Sequence, residues 1–153
     1  MARISEKNPR FRSKDTICCD LAQVLNADLS YGTKFAVVSE ITWVWSEFDG
    51  KHQGCKYWSS TALRSRLPNK HLVHEHIVPK KVIVNSLMNE VERTPERIYD
   101  FLERFCIGVF VTKDEDTALN SAGLRSKMPE DWDGENPWAR YKAVGIKVEK
   151  LEA

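Results

Sequence analysis

The sequence predicts an α+β domain, dominated by helices and carrying two or three short strands. Three observations support this. Apolar residues recur at helical spacing over several stretches that begin with capping residues. The β-branched runs "HLVHEHIV" and "CIGVFVT" are short and bounded by turn residues. The chain has 153 residues, 42% hydrophobic and 29% charged, which suits one domain around one core.

The elements follow in order. Residues 1–14 are polar and basic, with Arg3, Lys7, Arg10, Arg12 and Lys14 set against Glu6. They are expected to form a flexible basic arm, with contact to phosphate as the functional alternative to a merely mobile terminus, ahead of a single globular domain over 15–153. Ile17, Leu21, Val24 and Leu25 place a helix from Ser13 to about Ala27, with Ser13 as cap and Asp15 near its positive end. "YGTKFAVVSEITWVWSEF" gives a longer helix from Tyr31 to Phe48, with Phe35, Val38, Ile41, Thr42, Trp45 and Phe48 on one face. Its β-branched residues leave a strand within 35–45 open. "DGKHQG" is a loop, and Ser59 or Ser60 caps a short helix holding Ala62, Leu63 and Leu67.

"HLVHEHIV" reads as a strand, or as the first turns of a helix. Strand, turn at Pro79 and helix from about Lys80 to Val91 is the preferred order. Thr94 as N-cap and Pro95 at the first helical position open a helix whose apolar face is Ile98, Phe101, Leu102 and Phe105. "CIGVFVT" is a strand. Thr112 and Glu115 form a capping box for a helix through Leu119 that stops near Gly123. Trp132 and Trp138 are expected to anchor the polar connection that follows. A short helix near Trp138–Val144 and a strand in "GIKVEKL" complete the chain.

Composition narrows the function. The formal net charge is +1, so any surface for nucleic acid must be local, and no membrane partner is expected. No apolar run is long enough to span a bilayer or to serve as a signal sequence, so a cytoplasmic protein with reduced thiols is expected. Cys18, Cys19, Cys55 and Cys106 lack zinc-site spacing, and His52 with Cys55 is the best seed for one. The acidic loop "EDWDGEN" reads as solvated. Trp43, Trp45 and Trp58 read as core or interface, and several exposed together would mark a protein-binding patch.

Three of the four histidines fall in "HLVHEHIVPKK", residues 71–81. On a strand, His74 and His76 share one face and Glu75 takes the other. The bland reading is a hydrogen-bonded histidine–carboxylate pair, with Glu75 reaching Lys80 or Lys81 and Pro79 starting a helix.

The segment "VHEHIVP" resembles the first half of the HNH, or ββα-metal, endonuclease motif. That resemblance implies His76 as the general base that activates water against phosphorus. It implies His74 or Glu75, with Asn85 or Asn89 as the nearby helix asparagines, as ligands of a divalent ion, Mg, Mn or Zn. Lys80 and Lys81 become phosphate contacts, and Arg64, Arg66 and Lys70 extend the basic stretch that would hold nucleic acid. The motif covers about ten residues of the chain.

Two functions follow from different classes. One is a small metal-dependent nuclease acting on phosphodiester bonds. The other is a non-catalytic binding module, a small regulator or inhibitor of the kind common in phages and mobile elements, that forms a stoichiometric complex with a protein or nucleic-acid partner.

Overall fold

The computed structural model describes residues 4–51 and 54–152. The architecture is α+β: seven α-helices among the described residues and one four-stranded mixed sheet. The helices are α1 (Lys14–Asn26), α2 (Tyr31–Ser46), α3 (Ser60–Ser65), α4 (Lys80–Asn89), α5 (Pro95–Phe105), α6 (Lys113–Ser121) and α7 (Ala139–Val144). The strands are β1 (Tyr57–Ser59), β2 (Leu72–His76), β3 (Gly108–Thr112) and β4 (Val148–Lys150). No helix among the described residues is long and apolar enough to cross a membrane.

Local chemistry sets the boundaries. The Ser13 side chain accepts from the Thr16 amide and starts α1, and Thr94 caps α5 with Pro95 in its first turn. Thr112 and Glu115 form the capping box of α6. The strand left open within 35–45 does not form, because α2 runs unbroken through that stretch and buries Val38, Ile41, Thr42, Val44 and Trp45. Phe35, placed on that face from the sequence, is 45% exposed near the start of α2. Ser59 caps α3, and Leu67 lies beyond the end of that helix. Residues 4–13 run as turns, with Phe11 N–H donating to the Asn8 carbonyl at 2.8 Å and Asn8 buried.

The sheet order is β2-β3-β1-β4. β2 and β3 are antiparallel, β1 and β3 parallel, and β4 runs antiparallel to β1 along the edge. Strand β1 adds a fourth strand to the two or three expected. It is only three residues long and its last residue is a helix cap, so the cap signal dominated that stretch.

Register assigns side chains to faces. Leu72, His74 and His76 of β2 stand on one face with Phe110 of β3 and Trp58 of β1. There Trp58, Ala62, Leu72, Phe110 and Cys55 form a small apolar cluster. Val73, Glu75, Val109 and Val111 stand on the other face, over the main core contributed by helices on that side, including Leu119 and Tyr141. Trp132 and Trp138 pack half-buried against this core, as expected from the sequence.

Candidate functional site

Strand β2 is an edge of the sheet, paired on one side with β3, and on one face its His76 side chain meets helix α2. His76 is 7% exposed. Its ring meets that of Trp43 from α2 edge to face, with centroids 5.2 Å apart. The Lys80 Nζ lies 5.2 Å from the centroid of the same indole, so Trp43 contacts both an imidazole and an ammonium. Burial, followed by the positive charges of His74, Lys80 and Arg140, pushes the His76 pKa down to about 3. The ring is therefore neutral, and its Nε2 has no hydrogen-bond partner among the described residues.

His74 is 6.0 Å from His76, centroid to centroid, and its ring also approaches Phe110. It lies over Gly108 of β3, where an added Cβ would collide with the imidazole. Gly108 is thus the residue that lets His74 lie flat on the neighbouring strand.

Glu75 faces the opposite way, as strand periodicity requires. One carboxylate oxygen accepts from the Arg140 guanidinium, and the other accepts from the Tyr141 hydroxyl at 2.6 Å. Arg140 is 1% exposed. It also donates to the carbonyls of His76, Ile77 (3.3 Å) and Leu124 (2.7 Å). Burial pushes the Glu75 carboxyl above its ordinary value, while the charge and hydrogen bonds of Arg140 and Tyr141 pull against that rise. This network ties β2 to α7 across 65 residues of sequence.

The structure separates the side chains that the resemblance would gather round a cation. Glu75 is on the far face and already engaged. Asn85 and Asn89 are exposed on α4, where Asn89 Nδ2 donates to Asn85 Oδ1 at 3.0 Å. What remains beside His76 is one further imidazole and the Lys80 ammonium, on which the Glu40 carboxylate also acts. Hard divalent ions such as Mg and Mn require oxygen donors, and zinc requires three or four ligands, so this donor set does not fit. Among the described residues no three His, Cys, Asp or Glu side chains stand close enough to share an ion. The zinc seed at His52 lies outside the described residues. A neutral imidazole with a pKa near 3 is also far from the value at which a general base works best.

The basic residues distribute unevenly. Arg64 and Arg66 are exposed at the end of α3, with Arg64 3.8 Å from Glu149. Lys81 is exposed, while Lys80 is half-buried over Trp43. Lys70 lines a cavity of about 440 Å³ together with Trp43, Lys51, Asn69, His74 and Phe110. Lys51 is answered by Glu47 at 2.5 Å, whereas no carboxylate lines the cavity itself.

Of the site-forming residues, Trp43, Gly108, Arg140 and Tyr141 carry no motif. Arg140 had a detectable signal: an arginine directly beside a tyrosine in a predicted helix, in a chain whose "VHEHIVP" segment places one carboxylate towards the core. Comparison of the chain with family models, with curated proteins and with solved structures gave no match.

Proposed function

We propose that the chain is a non-catalytic binding module that takes a single-stranded stretch of nucleic acid at the Trp43 cavity. The observation that carries this reading is an exposed indole, 40% accessible, at the mouth of a cavity lined by lysines and free of carboxylates. Aromatic faces stack bases and lysine ammoniums neutralise phosphates, and this combination is sequence-tolerant. Charge along the chain points the same way. Residues 61–84 hold Arg64, Arg66, Lys70, Lys80 and Lys81 against Glu75 alone, and Glu75 is buried and paired. The other four tryptophans are buried or half-buried, so Trp43 is the one suited to stacking.

Hydrolysis requires more than this surface. His76 is neutral and enclosed, and the ligands that would accompany it are dispersed, so the β2 histidines are better read as the floor of a binding surface.

Anisotropy titration of single-stranded DNA and RNA of about 12 nucleotides tests the proposal. Binding should quench tryptophan fluorescence and weaken between about 50 and 200 mM salt, with a log–log slope of about −1.4 to −2.1 for two or three phosphate contacts. Trp43→Leu should weaken it about 5- to 150-fold, the worth of one stacked base. No binding at low salt, or equal binding by Trp43→Leu, refutes the proposal. Cleavage in Mg, Mn or Zn that vanishes in His76→Ala would replace it with a nuclease.

A further inference from the structure

We infer that β4 is a docking edge for an extended, acidic segment of a protein partner, which adds as a fifth strand. Pairing with β1 follows the register Tyr57↔Lys150, Trp58↔Glu149 and Ser59↔Val148. Backbone bonds from Leu151 N–H to the Lys56 carbonyl and from Ser60 N–H to the Lys147 carbonyl, both 2.8 Å, show which residues of β4 turn inward. Residues 147, 149 and 151 face β1. By alternation, the N–H and C=O groups of Val148 and Lys150 point outward, along an edge with no neighbouring strand among the described residues.

The side chains of those two residues are on the same sheet face as Tyr57. They border a cavity of about 300 Å³ walled by Tyr57, Trp138 and Tyr141. The walls are aromatic and the rim is cationic, formed by Lys142 and Lys150, with Lys56 lying 5.5 Å over the Tyr57 ring. No carboxylate is among the side chains lining this cavity. Glu149, the acid of β4, points to the opposite sheet face, towards Arg64. A strand added here finds main-chain partners at Val148 and Lys150, a pocket for one apolar side chain, and lysines for the acids that flank it.

Charge selects the occupant. A second copy pairing through the same edge would set one lysine-bearing rim, Lys142 and Lys150, beside an identical one, and like charges brought close across strands are destabilising. A partner with Glu or Asp beside a large apolar residue turns that repulsion into attraction. The site is on the other sheet face from the Trp43 cavity, so the two surfaces are separate.

The test uses the full chain and two fluorescein-labelled peptides of alternating sequence, one glutamate–phenylalanine and one lysine–phenylalanine. The acidic peptide should bind and the basic one should not. Lys150→Glu and Lys142→Glu should each weaken binding by about fivefold or more, with the difference shrinking at high salt. Val148→Pro removes an outward N–H without removing a β1 hydrogen bond and should abolish binding, whereas Val148→Ala, which trims the same core-packed side chain but keeps the N–H, should still bind. An acidic peptide N-methylated at alternate residues should also fail. The inference is overturned if neither peptide binds, if both bind alike, or if Val148→Pro binds as well as wild type. It is also overturned if sedimentation shows wild type to be a dimer and Val148→Pro a monomer, since the occupant would then be a second copy. Oligonucleotide binding at Trp43 should be unchanged in every β4 variant, which keeps the two proposals separable.

Discussion

Replacing Arg140 with methionine keeps most of the side chain's volume but removes the guanidinium that joins β2 to α7. In the native protein that group serves four acceptors: Glu75 Oε1 and the carbonyls of His76, Ile77 and Leu124. All four lose their donor, and Glu75 becomes a buried carboxylate held only by the Tyr141 hydroxyl. Each deprived neutral acceptor costs about 1–3 kcal/mol before relaxation, and breaking a buried ion pair from one side costs about 3–5 kcal/mol. Because these terms overlap and water can re-enter, a total of about 3–5 kcal/mol is expected. That is a large share of the roughly 5–15 kcal/mol available to a domain, and lowers Tm by about 6–20 °C. The assay is urea unfolding at pH 7, repeated near pH 5. With the guanidinium gone, the Glu75 pKa rises further, and a raised carboxyl binds its proton more tightly folded than unfolded. Its contribution is favourable at low pH and lost as pH rises through the folded value, so the deficit of Arg140→Met should shrink at pH 5. Adding Glu75→Leu to Arg140→Met should recover part of the loss. A single variant within about 1 kcal/mol of wild type, or strictly additive losses, would refute the network as the tie between β2 and α7.

Three further outcomes follow from the site. His76 is held neutral with a pKa near 3, so below pH 6.5 the unfolded chain takes up a proton that the folded one refuses; stability should fall by about 3 kcal/mol from pH 6.5 to pH 4, and His76→Phe should remove that part of the acid sensitivity in denaturant titrations. Gly108→Ala places a methyl against the His74 ring, so it should cost about 1–3 kcal/mol by thermal melting and weaken oligonucleotide binding together, because the ring that moves also lines the Trp43 cavity. Thr112→Ala takes away the acceptor for the Glu115 amide and one donor to its carboxylate, which also accepts from Ser59 at 2.6 Å; a loss of about 1–2 kcal/mol is expected by urea unfolding, with β1 loosened in hydrogen exchange.

Much of the fold could be read from capping residues, because a cap is a local hydrogen bond written in adjacent letters. Ser13, Thr94 with Pro95, and the Thr112–Glu115 box start their helices where the sequence places them. Strand parity was equally local. His74 and His76 on one face, with Glu75 on the other, follows from a period of two once "HLVHEHIV" is a strand. What local patterns could not supply is the identity of what each face meets. Arg140 reaches Glu75 across 65 residues, and Trp43 reaches His76 across 33 (76 − 43), with no motif linking either pair. Strand β1 hid for a related reason: its three residues have too little alternation to register, and they form a strand because β3 and β4 pair on either side.

Parity has a further consequence for the histidine segment. A motif that needs a base and an acidic ligand on one ion requires adjacent strand residues to converge, which a regular strand forbids unless a bulge or a second element brings another donor round. Strand β2 pairs with β3 without interruption from Leu72 to His76, so no bulge redirects Glu75. The helix after Pro79 turns Ile83, Val84, Leu87 and Met88 to the core and leaves Asn85 and Asn89 in solvent. The same letters that resemble a metal-bearing strand therefore perform two structural tasks. Glu75 locks one face to α7, and His76 supports Trp43 on the other. The Trp43 indole is held by contacts with the His76 ring and the Lys80 ammonium while 40% of the residue stays exposed, and a positioned, accessible aromatic is what a stacking surface needs.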